Sequence, residues 1–241
     1  MNRLTILASL IALAVGALPA PGALVVDDFE SYTDFTPNRV FEMWKDGFGY
    51  GPKPPGPPPY YAGNGTGSRV GYMNSPYAEQ TTVHGGMQSA PYHYDNAQLD
   101  RLTYSEAGMT FDPSADWAAT GLPILSLWFH GLADNDPEPM YVALKNYPGS
   151  VMGIVYYDGP EQNLAVESWQ RWTISLQQFA AQGVSLSAVD EIAIGIGTYR
   201  NFTEPGGKGL VFFDDIVLVP EPATLFLLAL GGVALVGKRE P

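Results

Sequence analysis

The 241-residue chain contains no cysteine, which excludes disulfides, thiol nucleophiles, Cys-ligated zinc and iron–sulfur clusters together. Histidine is nearly missing as well: His84, His93 and His130 are the only three, too few for a His-rich metal site. Basic residues are scarce. Between Leu24 and Val219, nine Lys and Arg stand against 23 Asp and Glu, a balance that repels phosphate backbones and makes nucleic acid a poor partner. Carboxylate oxygens in that number attract cations, Ca²⁺ above all outside a cell. The signatures of familiar catalysts are absent too: no Gly-x-Ser-x-Gly elbow, no His-Glu-x-x-His, no phosphate-binding loop and no Glu-x-Asp-x-x-Glu strand.

What acidic chemistry remains sits in loops. Asp112 with Asp116, and Asp134 and Asp136 with Glu138, are carboxylate sets of the kind that glycoside hydrolysis uses. Both lie among Pro and Gly, where a solvated acidic loop is the simpler reading. Tyr92-His93-Tyr94 offers a lyase-like Tyr/His base pair, yet an exposed strand edge explains it with fewer assumptions.

Long stretches with helical periodicity are also lacking. In their place stand short apolar runs, rich in branched and aromatic residues and bounded by turn formers: Ile124–Phe129, Tyr141–Leu144, Val151–Tyr157, Trp169–Leu176, Glu191–Ile196 and Leu210–Val219. That pattern predicts an all-β sandwich. Alternation over 169–176 puts Trp172, Ile174 and Leu176 on one face, so Trp172 is expected in the core, and so is Trp128 within Leu125–Phe129. One short helix is expected at Leu176–Gln182, ended by Gly183, with a further turn near Ser114–Ala119.

Both ends read as addresses. Residues 1–23 carry one basic residue, Arg3, an apolar run from Leu4 to Leu18 and small residues after it, the layout of a secretory signal peptide. The domain is expected to span 24–219, and residues 220–241 to form a separate tail. Within the domain, 51–67 is rich in Pro and Gly and cannot donate to a sheet, so it is expected to be a loop.

In the tail, Pro220-Glu221-Pro222, an apolar run to Gly237 and then Lys238-Arg239 together resemble a PEP-CTERM sorting signal. The resemblance implies reading by an exosortase-type processing enzyme, export, transient membrane anchoring and association with extracellular polysaccharide. The apolar run Ala223–Gly237 makes a hydrophobic helix of ~22 Å, short of the ~30 Å hydrocarbon core. Its basic end would stay cytoplasmic.

The domain carries a second resemblance. Asp28-Phe29-Glu30-Ser31-Tyr32, Val83-His84-Gly85-Gly86-Met87-Gln88-Ser89 and Phe213-Asp214-Asp215-Ile216 fall in the order found in galactose-binding-like jelly rolls, which include many carbohydrate-binding modules. In those jelly rolls a structural Ca²⁺ joins first and last strands. Carried over, the ligands would be Glu30, backbone carbonyls from His84 to Gln88, and Asp214. Alternation along the closing strand sets Asp214 with Phe212 and Ile216, the set expected to point inward.

Together these observations lead to an exported, non-catalytic β-sandwich that binds carbohydrate or matrix polysaccharide at the cell surface. A structural matrix or adhesion protein without a sugar pocket is the second reading, and a polysaccharide hydrolase or lyase the third. Sugar binding needs exposed aromatic rings that stack on pyranose faces. The candidates are Tyr60, Tyr61, Tyr92, Tyr94, Trp117, Trp169 and Tyr199.

Overall fold

The opening and closing stretches pair, and the closing strand is the hub of the molecule. The computed structural model describes residues 22–52, 56, 59–97 and 102–221, so the leader and residues 222–241, including Pro222, Lys238 and Arg239, lie outside the described residues. The strands are β1 (Leu24–Asp27), β2 (Ser68–Val70), β3 (Ala90–Asp95), β4 (Ser105–Ala115), β5 (Ile124–His130), β6 (Met140–Asn146), β7 (Val151–Tyr156), β8 (Trp169–Ser175), β9 (Val189–Ile196) and β10 (Lys208–Val219). They form a two-layer, jelly-roll-type β-sandwich. A six-stranded sheet runs β2-β3-β10-β5-β8 with β1 also on β10, and a four-stranded sheet runs β4-β9-β6-β7. Helix is limited to single turns, α1 (Val40–Met43) and α2 (Gln177–Ala180) among them. The second falls where a helix before Gly183 is expected, and Gly183 takes the left-handed φ of +95° that stops it.

Each of the apolar runs singled out in the sequence is a strand, because its alternate residues fill the space between the sheets. From the six-stranded sheet come Tyr92, Tyr94, Leu125, Leu127, Phe129, Trp172, Ile174, Val211 and Phe213; Ala107, Met109, Val142, Leu144, Ile192, Ile194 and Ile196 meet them from the other. Trp172 is in the core as expected. Trp128 is not: with Leu125, Leu127 and Phe129 inward, it shares the outer face with Ser126 and His130 and is only partly buried.

One edge of β10 is shared by two strands in succession. Lys208–Phe213 pairs β3, Ile216–Leu218 pairs β1, and β5 runs along the opposite edge from Phe212 to Val219. In the gap between β3 and β1 sits a bulge, where the register slips between Asp214 and Val217 and Asp215 adopts φ of +47°. A bulge adds one residue and reverses the side on which later side chains emerge. The inward set expected for Asp214 is therefore corrected. Phe212 and Asp214 belong to the outer face, while Ile216 points into the core.

Burial of the two Trp side chains separates stability from surface function. Trp172→Ala should cost about 3–5 kcal/mol in urea unfolding, whereas Trp128→Ala should cost less than half as much.

Candidate functional site

The outer face of the six-stranded sheet gathers side chains that are scattered in sequence. Cross-strand pairing lays them in rows. Arg69, His93 and Leu210 form one row across β2, β3 and β10. Phe212, His130 and Trp169 form the next across β10, β5 and β8, and Asp214, Trp128 and Arg171 a third. From β2 to β8 is four strand spacings, ~19 Å. All three histidines of the chain and two of its five tryptophans thus meet on this face or on the turn beside it.

The aromatic strip is continuous. His84, carried by the 82–88 turn, stacks on Trp128 with ring centres 3.9 Å apart and meets the edge of Trp169 at 5.6 Å. His130 bridges Trp169 at 5.4 Å and Phe212 at 6.0 Å. Next to this strip, Phe48, Arg69, His93, Asp95, Asp134 and Lys208 are among the residues lining an open trough of about 580 Å³.

The polar groups of this face are short of partners. Four buried side-chain nitrogens lack a hydrogen-bond partner among the described residues, and three are here: Arg69 Nε, His93 Nε2 and His130 Nδ1. Arg69 and Arg171 have no carboxylate within ion-pair distance among the described residues; Arg171 Nε donates to Ser126 Oγ at 2.8 Å. Burial, with help from the nearby Arg69 charge, pulls His93 down to about 4, so its ring is neutral at pH 7 and serves as donor and acceptor. Such a face, with flat rings and unpaired donors, fits an oxygen-rich, flat-sided ligand.

Of the sequence-expected aromatics, Trp169 alone is on this face. Tyr92 and Tyr94 are corrected to core: β3 is covered by β2 and is no edge, Tyr92 is 2% and Tyr94 1% exposed, and their hydroxyls donate to the carbonyls of Ile194 and Asp136. Trp117 is also core, against Phe111. Tyr61 and Tyr199 lie on the other sheet's side, Tyr61 beneath Lys45 and Tyr199 against Tyr104 and Tyr141. Tyr60 is exposed on the Pro-rich loop. Trp128, His130 and Phe212 were not among the expected aromatics, and His84 was expected only in the calcium-ligand set. The usable signal was alternation: once Leu125, Leu127 and Phe129 are inward, Trp128 and His130 must be outward.

Three of the five loop carboxylates serve the backbone. Asp116 accepts from the amide of Ala119 at 2.9 Å, Asp136 from Lys208 at 3.0 Å, and Glu138 from Gly207. Asp112 is exposed, and so is Asp134 at the trough rim.

Glu30, His84, Gln88 and Asp214 are brought together at the gap in the sheet, and His84, Gly85, Met87 and Gln88 turn their amides toward the two carboxylates. Asp214 Oδ2 accepts from His84 N at 2.8 Å and Gly85 N at 3.1 Å. Glu30 Oε1 accepts from Met87 N and Gln88 N, both at 2.8 Å. The expected ligand set called for carbonyl oxygens there. No group of three or more His, Asp or Glu side chains able to hold a metal ion occurs among the described residues.

With that geometry in hand, comparison with known proteins gives two results. Residues 218–239 match the model for the PEP-CTERM protein-sorting motif. The chain carries a PEP-CTERM sorting signal. Among solved structures, the chain is similar to a family 11 carbohydrate-binding module from Clostridium thermocellum in complex with a β-1,3-1,4-mixed-linked tetrasaccharide, with TM-score 0.49 and 13% identity over 83% of this chain and 96% of that one. A family 30 module of a cellulosomal cellulase of the same organism gives TM-score 0.45 and 13% identity over 74% and 96%. An exo-β-agarase gives TM-score 0.44 and 11% identity over 65% of this chain and 22% of the enzyme. A search of curated proteins returns no match.

Burial pushes the Asp214 carboxyl up to about 6 against the pull of three backbone amides, and the Asp215 charge adds to the rise. A carboxyl raised in the folded state contributes stability that is present below its unfolded value near 4 and is lost as pH rises through about 6. Asp27 and Asp46, also raised by burial, act in the same direction. The melting temperature should therefore climb by on the order of 5 °C between pH 7.5 and pH 5, and Asp214→Asn should flatten that climb.

Proposed function

We propose that this protein is an exported, non-catalytic carbohydrate-binding domain whose site is the outer face of the six-stranded sheet. A single observation carries the reading: Trp128, Trp169, Phe212, His84, His93, His130, Arg69 and Arg171 converge on one face, and three of the chain's unpartnered buried nitrogens are among them. The Trp169 indole supplies apolar surface for the C–H face of a pyranose ring beside the stacked His84 and Trp128, while Arg69, His93 and Arg171 offer hydrogen bonds to ring and hydroxyl oxygens. Trough-rim carboxylates Asp134 and Glu167 are placed to accept from sugar hydroxyls. A face ~19 Å across suits an extended stretch of polysaccharide better than a single sugar.

The same arrangement supports a non-catalytic role. Three of the five loop carboxylates that could serve as acid and base, Asp116, Asp136 and Glu138, hold backbone amides, whereas a catalytic pair must flank the scissile bond. The sorting motif supports export and surface association, with processing by an exosortase-type enzyme at the tail. At the surface, the sheet face would hold matrix polysaccharide.

Affinity electrophoresis through gels containing neutral and acidic polysaccharides tests this directly. At least one polymer should retard the protein, and Trp169→Ala and Arg69→Ala should each weaken that retardation about tenfold, roughly 1.4 kcal/mol. Tyr61→Ala and Tyr199→Ala, on the other side of the sandwich, should leave it unchanged. Absence of retardation by every polymer, or equal loss from the two tyrosine variants, would favour a structural matrix protein without a sugar site.

A further inference from the structure

We infer that the gap between β1 and β3 is closed by backbone amides seated in the chain's own carboxylates, and that no cation takes part in the closure. The inference concerns the junction alone and stands whether or not the neighbouring face binds polysaccharide.

The carboxylate oxygens that face the turn are already occupied by donors. Asp214 Oδ2 holds two amides, those of His84 and Gly85, and Oδ1 holds the amide of Asp215 at 2.8 Å. Glu30 Oε1 holds two more, from Met87 and Gln88. Asp215 takes His84 Nδ1 at 2.6 Å, and the Gln88 side-chain amide donates to the carbonyls of Phe29 and Tyr32, at 3.4 and 3.1 Å. Each carboxylate oxygen has two lone pairs, so Asp214 Oδ2 and Glu30 Oε1, with two amides each, have none left for a metal.

The carbonyls are turned the wrong way. In a trans peptide the C=O points opposite to the N–H of the same plane. With the amides of His84, Gly85, Met87 and Gln88 aimed at carboxylates, the carbonyls of Val83, His84, Gly86 and Met87 face away from them. Ca²⁺ requires six to eight oxygens converging at about 2.3–2.6 Å, and this turn offers hydrogens to the same space. Successive amides lining a concavity form a nest for an anion. Here the anions come from β10 and from the segment after β1.

Two glycines make the approach close enough. A Cβ on Gly85 would stand 2.6 Å from Asp215 Oδ2, and one on Gly86 would stand 2.4 Å from Glu30 Oε1, with Gly86 at φ of +63°. A side chain at Gly86 would push Glu30 off the Met87 and Gln88 amides, and one at Gly85 would push Asp215 off the His84 ring.

Calorimetry and amide exchange on the full-length protein decide the matter. The melting temperature should agree to within about 1 °C in buffer, in millimolar EDTA and in millimolar CaCl₂, since a ligand that binds only the native state must raise it. Glu30→Gln and Gly86→Ala should both lower it, by equal amounts in EDTA and in CaCl₂. In the wild type the Met87 and Gln88 amides should exchange slowly, and in Glu30→Ala at least tenfold faster. Melting that falls in EDTA or rises by several degrees in CaCl₂, a calcium increment that Glu30→Gln abolishes, or unprotected Met87 and Gln88 amides in the wild type would each overturn the inference.

Discussion

A carboxylate buried as completely as that of Asp214, with no exposed surface, has to be given hydrogen-bond donors or be kept protonated. Much of the six-stranded sheet is arranged around that requirement. Asp214, on the outer face with Phe212, lies just before the bulge in the gap between β3 and β1, where the 82–88 turn meets its carboxylate with amides. The same turn reaches Glu30, so the segment after the first strand and the closing strand are tied through one loop. It also carries His84 onto Trp128. One buried charge thereby links the closure of the sheet to the geometry of its outer face.

The two outer faces of the sandwich solve different problems. On the four-stranded sheet, Lys145 bridges Glu106 and Glu191 at 2.9 and 2.8 Å, and Tyr141 and Tyr147 add hydrogen bonds to the same two carboxylates. Burial would favour neutral Lys145, but the two acids outweigh it and hold its ammonium charged, well above the usual lysine range. Every polar group of that knot is matched. The six-stranded sheet differs: among the described residues Arg69 Nε, His93 Nε2 and His130 Nδ1 are buried without a hydrogen-bond partner. The protein has a net charge of −13, yet among the described residues Arg69 and Arg171 have no carboxylate within ion-pair distance.

Local pattern made the strands legible and left the face hidden. Ile124–Phe129, Trp169–Leu176 and Leu210–Val219 announce themselves by branched and aromatic density. β4 was missed because its sequence, Ser105–Ala115, carries Gly, Pro and polar residues and gains its strand character from pairing with β9. β3 hid Tyr92 and Tyr94 behind an apparently polar run, since each hydroxyl finds a backbone carbonyl across the core. The inward assignment of Asp214 failed for a separate reason: a single bulge residue, Asp215, reverses parity, and nothing in an Asp-Asp pair announces it. The three histidines were read only by their number, and their convergence is a property of register that only the paired sheet reveals.

The claim that the outer face of the six-stranded sheet is the binding face is tested most directly by the indole signals of the five tryptophans in an NMR titration with a polysaccharide fragment. Trp44, Trp117 and Trp172 are buried, Trp44 with its indole nitrogen on Asp27, while Trp128 and Trp169 lie on the face. Two of the five signals, those of Trp128 and Trp169, should move together and saturate at one ligand concentration. Saturable movement of backbone signals around Tyr61 and Tyr199 with those two indoles unmoved, or no movement with any neutral or acidic fragment, would contradict it.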